Sequence, residues 1–91
     1  MARRLAERIP DYLENCRNNV IAMRKDLDLA DFEAVTILGH NLRGSGGGFG
    51  FQAITDFGAG IEQACEDVDL DKARKLLNEL SSFLDRVEIV L

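Results

Sequence analysis

Tryptophan is absent from this sequence, proline occurs once and histidine once, and cysteine appears only at positions 16 and 65. With Pro10 the sole proline, almost the whole chain is free to form helices. Cys16 and Cys65 lie far apart, belong to no CxxC pair and have no second histidine near them, so a zinc site of ordinary spacing is excluded. Each falls within an apolar stripe and reads as a buried thiol; a bridge between them is the alternative. Against a bridge stands the start of the chain, where Arg3, Arg4 and Arg8 surround acidic Glu7 with no apolar stretch behind them, unlike a secretory signal. A reducing, cytoplasmic setting is the expectation. No run approaches the roughly 18 apolar residues of a membrane span. Basic residues are outnumbered, 11 against 16 acidic ones, giving a formal charge of -5 that would be repelled by nucleic acid or an anionic lipid surface.

What is present is helical periodicity. The 91 residues, 46% hydrophobic and 30% charged, suit one folded domain over 1–91. Leu5, Ile9, Leu13, Cys16, Val20, Met23 and Leu27 recur at steps of three and four, the stripe of an amphipathic helix. Because proline suits a first helical turn and disrupts an interior, Pro10 predicts a short lead-in helix up to residue 9 and a main helix from 10 to about 26. Asp28 is the expected cap of the next helix, with Asp31 adding negative charge at its positive end. Phe32, Val35, Leu38, Leu42 and Phe49 form the second stripe. Ile54, Phe57, Ile61, Cys65 and Val68 form the third, and Leu70, Ala73, Leu77, Leu80, Leu84, Val87 and Leu91 the fourth, with Asp69 as its cap. No segment alternates like a strand. Four stripes with short connections predict an all-α, antiparallel up-down four-helix bundle.

All eight glycines lie between Gly39 and Gly60, five of them within positions 44–50. A glycine inside a helix costs about 1 kcal/mol relative to alanine, so several together need a reason. A flexible loop is the simplest one. Phe49, however, stays in phase with Leu42, which predicts that the second helix continues through the glycines to about residue 48. Thr36, His40, Arg43, Gly44 and Gly47 then share the face opposite the apolar stripe, and that face is stripped of bulk beside the sole histidine. A neutral imidazole there could attack phosphorus through its Nε2 lone pair, and a guanidinium at i+3 could steady the added charge.

The stretch His40-Asn41-Leu42-Arg43-Gly44-Ser45-Gly46-Gly47-Gly48-Phe49-Gly50-Phe51 resembles the signature of histidine-containing phosphotransfer (HPt) domains, H-x-[LI]-[KR]-G-[SGA] followed by small residues and a glycine ten positions after the histidine. It is most similar to the phosphoacceptor domains of chemotaxis-type and hybrid histidine kinases. Ile61-Glu62-Gln63-Ala64 is similar to the Leu-Glu-x-Ala element of the following helix in that family. The resemblance implies that His40 is phosphorylated and that Arg43, where the family more often has lysine, assists the phosphate. It also implies that Gly44 and Gly47 give a partner clearance and that Glu62 orients the imidazole; a solvated surface residue is the competing reading of Glu62. Ser45 is expected to bond back to the Asn41 carbonyl.

The implied function is a carrier in a two-component phosphorelay, receiving a phosphoryl group from a kinase or a receiver-domain aspartate and passing it to a response regulator. No nucleotide site is expected, since the glycine run lacks the Lys-Ser/Thr of a P-loop and follows no strand. Mg²⁺ would come from the partner, as the chain shows no suitable carboxylate cluster. A monomer is the simplest expectation, and either a freestanding protein or part of a larger kinase would fit. The alternatives are a helical protein-interaction module with an incidental histidine, or a phosphohistidine phosphatase, for which no general base or anion pocket is evident.

Overall fold

The apolar stripes become four helices in the computed structural model, which describes residues 5–90 and side chains over 7–87. α1 spans Leu5–Asp28, α2 Phe32–Ser45, α3 Gln52–Glu66 and α4 Leu70–Val90, with a short 3-10 turn at Gly47–Phe49. There is no strand among the described residues. α1 packs against α2 and α4, and α3 against the same two. Their inward faces meet in a single cluster that includes Leu13, Cys16, Met23, Val35, Leu42, Ile54, Ile61, Leu77, Leu80 and Leu84. Each such side chain contributes about 1.5–3 kcal/mol on burial. Leu5, Leu91 and the basic pair Arg3 and Arg4 fall outside the described side chains.

Three boundaries differ from the sequence expectation. α1 does not break at Pro10, which lies inside one continuous helix. The proline ring faces solvent, while Ile9 packs on the core and Tyr12 and Leu13 lie within it, so burial on both sides of the proline holds the two parts in line despite the missing N–H. The cap of α2 is Asp31, whose Oδ1 accepts from the Ala34 N–H at 3.1 Å, while Asp28 is the last residue of α1 and accepts from Arg74 Nη2 at 2.7 Å. The α-helical part of α2 stops at Ser45, not near 48. In an unbroken helix the Gly47 N–H would bond the Arg43 carbonyl. The Thr55 hydroxyl of α3 stands between them instead, accepting from Gly47 N–H at 2.8 Å and donating to the Arg43 carbonyl at 3.0 Å. A side chain in the ladder opens the helix there, and the chain tightens into the 3-10 turn before Gly50 reverses it at φ +87°.

The connections at 29–31 and 67–69 are the same device used twice. Ala30 and Val68 adopt left-handed backbone, φ 56° and 53°. Asp31 N–H returns to the Asp26 carbonyl and Asp69 N–H to the Ala64 carbonyl, both at 2.8 Å. These are Schellman closures. Each ends on an aspartate that at once caps the next helix, Asp69 Oδ1 accepting from Lys72 N–H at 3.1 Å as the sequence predicts.

α2 and α3 approach most closely at glycine. A Cβ on Gly58 would lie 2.5 Å from Arg43 N and 2.6 Å from the Gly39 carbonyl, and one on Gly46 would lie 2.6 Å from Thr55 N. Neither position admits a side chain without moving backbone. A Cβ on Gly39 would meet the Gly58 carbonyl at 3.2 Å. Missing side chains therefore set the spacing of these two helices, and that spacing places the polar groups described next.

Candidate functional site

α2 carries His40 and Arg43 one turn apart, and α3 carries Glu62 opposite them. His40 Nδ1 lies 3.1 Å from Glu62 Oε2, and Arg43 Nη1 lies 2.9 Å from Glu62 Oε1. The side chains of His40 and Arg43 are 58% and 47% exposed, that of Glu62 only 14%. Glu62 is thus a mostly buried carboxylate under two exposed groups, and the reading of it as a solvated surface residue does not hold. Its Oε1 is buried and makes no hydrogen bond of acceptable angle. The Arg43 guanidinium at 2.9 Å nevertheless compensates that oxygen's charge. Burying a carboxylate without such a neighbour would be costly, so the pair stabilises as a unit.

The proton on the ring follows from the partners. An ionised carboxylate only accepts, so a hydrogen bond to Glu62 Oε2 requires Nδ1–H as donor, and we assign the ring proton there. Arg43 Nη2 also lies 3.1 Å from Nδ1. Two donors cannot share that atom in a hydrogen bond, so the guanidinium there is a neighbouring cation, ion-paired through its other arm with Glu62 Oε1. With the proton on Nδ1, the lone pair is on Nε2 of a ring whose side chain is more than half exposed. Carboxylate, Nδ1–H and free Nε2 together resemble the arrangement that holds a hydrolytic histidine in one tautomer. Arg43 is engaged by the Glu62 carboxylate.

Gly44 is exposed, and a Cβ there would meet nothing within 4 Å. Gly47 opens the 3-10 turn, exposed, with Gln52 Oε1 and Thr55 Oγ1 each 3.6 Å from where its Cβ would be. Both have room for a side chain within the protein, so any demand for glycine at these positions comes from outside it. Ile37, one turn before His40, is an exposed large hydrophobic, 55% accessible. Ser45 does not bond back to Asn41; its Oγ shares a hydrogen bond of 2.8 Å with Tyr12 Oη. The Tyr12 ring stacks on Phe49 at 4.0 Å between centroids, and the Arg8 guanidinium lies over the Phe49 ring at 5.7 Å. That stack is why Phe49 keeps phase with Leu42 although the α-helix has ended: α1, not helical continuity, holds it.

Sequence reasoning brought together His40, Arg43 and Glu62 but missed Gly39, Gly58 and Thr55. A glycine in the middle of each of two consecutive helices was the available signal of a close helix contact. Nothing in the local pattern around Thr55 distinguishes it from an ordinary helical threonine.

Among the described residues no three His, Cys, Asp or Glu side chains group closely enough to hold a metal ion, and no helix is long and apolar enough to cross a membrane. A family model described as Hpt domain matches residues 1–89 of the 91-residue chain. No curated protein and no solved structure matches it.

Proposed function

The chain belongs to the Hpt domain family, the phosphocarrier modules of two-component signalling, and on that premise we propose that His40 is its phosphoryl-carrying residue. The observation that carries the proposal is the exposed ring whose Nδ1 meets a mostly buried carboxylate at 3.1 Å, which leaves the lone pair to Nε2. In the transfer, the Nε2 lone pair attacks the phosphorus of an aspartyl phosphate on a receiver domain. The Nε2–P bond forms, the P–O bond to the aspartate breaks, and the aspartate leaves as a carboxylate. No proton has to leave Nε2 first. The ring becomes an N-phosphoryl imidazolium that keeps Nδ1–H, and the Glu62 carboxylate steadies its positive charge. Reversal passes the group to a receiver; a histidine kinase is the other donor. Arg43 would assist by turning from Glu62 toward the phosphoryl oxygens, which its planar fork suits.

We propose that Mg²⁺ comes from the partner's acidic pocket, that the partner docks over Ile37, His40 and the bare positions Gly44 and Gly47, and that the chain acts as a cytoplasmic monomer of one domain over 1–91. An antiparallel up-down order of the helices is supported by the packing of α1 and α3 each against α2 and α4 and by connections of three residues at 29–31 and 67–69. The test is a screen of the purified chain against phosphorylated receiver domains. The expected result is stoichiometric, acid-labile label that a second receiver removes. Continuous release of inorganic phosphate without retained label would mean a phosphatase, and no label from any donor would mean an interaction module.

A further inference from the structure

Arg43 is held by three groups of α3 that follow one another along a single face. Thr55 donates to its carbonyl at 3.0 Å, the bare backbone of Gly58 lies against its N and Cα, and Glu62 pairs with its guanidinium at 2.9 Å. The spacing of three and then four residues puts Thr55, Gly58 and Glu62 in line on a helix. Gly58 excludes, and Glu62 attracts, but Thr55 alone alters the path of the chain it touches. By taking both the Arg43 carbonyl and the Gly47 N–H, it replaces one main-chain hydrogen bond of α2 with two bonds to a side chain from another helix. Gly46 is bare to admit it, since a Cβ there would come within 2.8 Å of Thr55 Oγ1 and 2.6 Å of Thr55 N.

From this geometry we infer that Thr55 is a positioning residue for the phosphoacceptor site: it ends the α-helical ladder of α2 at the level of Arg43 and so fixes where the guanidinium stands relative to His40 and Glu62. Without the hydroxyl, the Arg43 carbonyl and the Gly47 N–H are left to find each other, and the last turn of α2 winds back toward α-helical geometry. Arg43 sits at the first residue of that turn. A movement at its Cα is carried to the guanidinium, which stands 2.9 Å from Glu62 and 3.1 Å from His40 before it turns to the phosphoryl group. The inference rests on the phosphotransfer reading for its consequence, but the geometry can be tested without any phosphoryl donor.

The experiment compares Thr55→Val and Thr55→Ser with the wild type by ¹⁵N NMR of the His40 ring and the Arg43 side chain across pH. Valine removes the hydroxyl at nearly constant shape, and serine keeps it. In Thr55→Val, the ring-nitrogen shifts should move toward those of Arg43→Ala, with no further change when the two substitutions are combined. Thr55→Ser should retain the wild-type spectrum. Should the valine chain not fold, Thr55→Ala, which places no methyl against the two unpaired backbone groups, gives the same comparison. Site resonances in the folded Val or Ala variant that match the wild type, with only the melting temperature lowered, would overturn the inference. In a parallel measurement of His40 labelling by phosphoramidate, Thr55→Val should be slower by about 10-fold or more, the usual effect of losing a supporting residue, and the loss should vanish in an Arg43→Ala background. A wild type that never takes label would sink the phosphotransfer reading, and the role of Thr55 would then stand or fall on the spectra.

Discussion

In the function proposed, Glu62 fixes the tautomer that makes His40 a nucleophile instead of an ordinary surface imidazole. With its carboxylate replaced by an amide, the demand for a proton on Nδ1 is gone, and Nε2–H becomes available to the ring. Glu62→Gln should therefore slow phosphorylation of His40 by about 10–100-fold while leaving helicity unchanged; long-range ¹H–¹⁵N correlation spectra should show the ring proton moving from Nδ1 to Nε2. An unchanged tautomer would assign its control to something other than the carboxylate. Gly44 tests the opposite side of the site. Its missing Cβ faces open space inside an α-helix, so Gly44→Ala should raise stability by about 0.5–1 kcal/mol, and Gly44→Leu should slow exchange with a receiver. Equal exchange by the leucine variant would show that partners do not approach there. The grouping of His40, Arg43 and Glu62 was open to expectation from the sequence, His40 and Arg43 by their spacing of three on one helix face and Glu62 only through the resemblance to the family. The internal duties of Gly39, Gly46 and Gly58 could not, because close approach of two backbones leaves no mark beyond the glycine itself, and a glycine that clears the way for a partner looks the same.

At the scale of the elements, the four helices were legible because apolar residues at steps of three and four report burial directly. Their ends were less so. Pro10 predicts a break from its backbone alone, yet half-buried Ile9 before it and buried Tyr12 and Leu13 after it pack on one core, and packing outweighs one lost hydrogen bond. The end of α2 is imposed by a threonine ten or more residues downstream and by the Tyr12–Phe49 stack with α1, neither of which is local. The turn at 67–69 carries a further consequence. Val68 is β-branched, sits at φ 53° and is 66% exposed, so it holds a left-handed conformation with little packing in return. Val68→Gly should raise the stability of the protein by roughly 1 kcal/mol, read as a higher melting temperature; Ala30→Gly, at the matching turn, should do the same to a lesser degree. A lower melting temperature for Val68→Gly would show that the valine side chain contributes more than its strain costs.

At the scale of the whole molecule, Tyr12, Cys16 and Cys65 are three groups of high-pH chemistry that burial ties to the fold. Burial pushes the Tyr12 phenol up to about 12, the Ser45 hydrogen bond offsetting part of the rise, and raises the Cys16 and Cys65 thiols above their ordinary 9.0. Each group holds its proton more tightly folded than unfolded, so its contribution is complete below the unfolded value and is lost as pH rises toward the folded one. Urea midpoints should thus fall from about pH 9 upward, and the fall should be shallower in Tyr12→Phe. A midpoint constant to about pH 11 would contradict the burial of these groups. The same bundle keeps His40 in solvent on α2 while its supporting carboxylate is buried on α3, so the function proposed depends on the packing of two helices and not on the signature residues alone.

The measurement that bears on all of this most directly is the location of the phosphoryl group. The chain is exposed to phosphoramidate or a phosphorylated receiver, then digested at alkaline pH and mapped by mass spectrometry beside His40→Gln. One acid-labile, base-stable phosphoryl group on His40, absent from a folded His40→Gln, is the result the structure predicts. Label elsewhere, or label that survives the substitution, would contradict it.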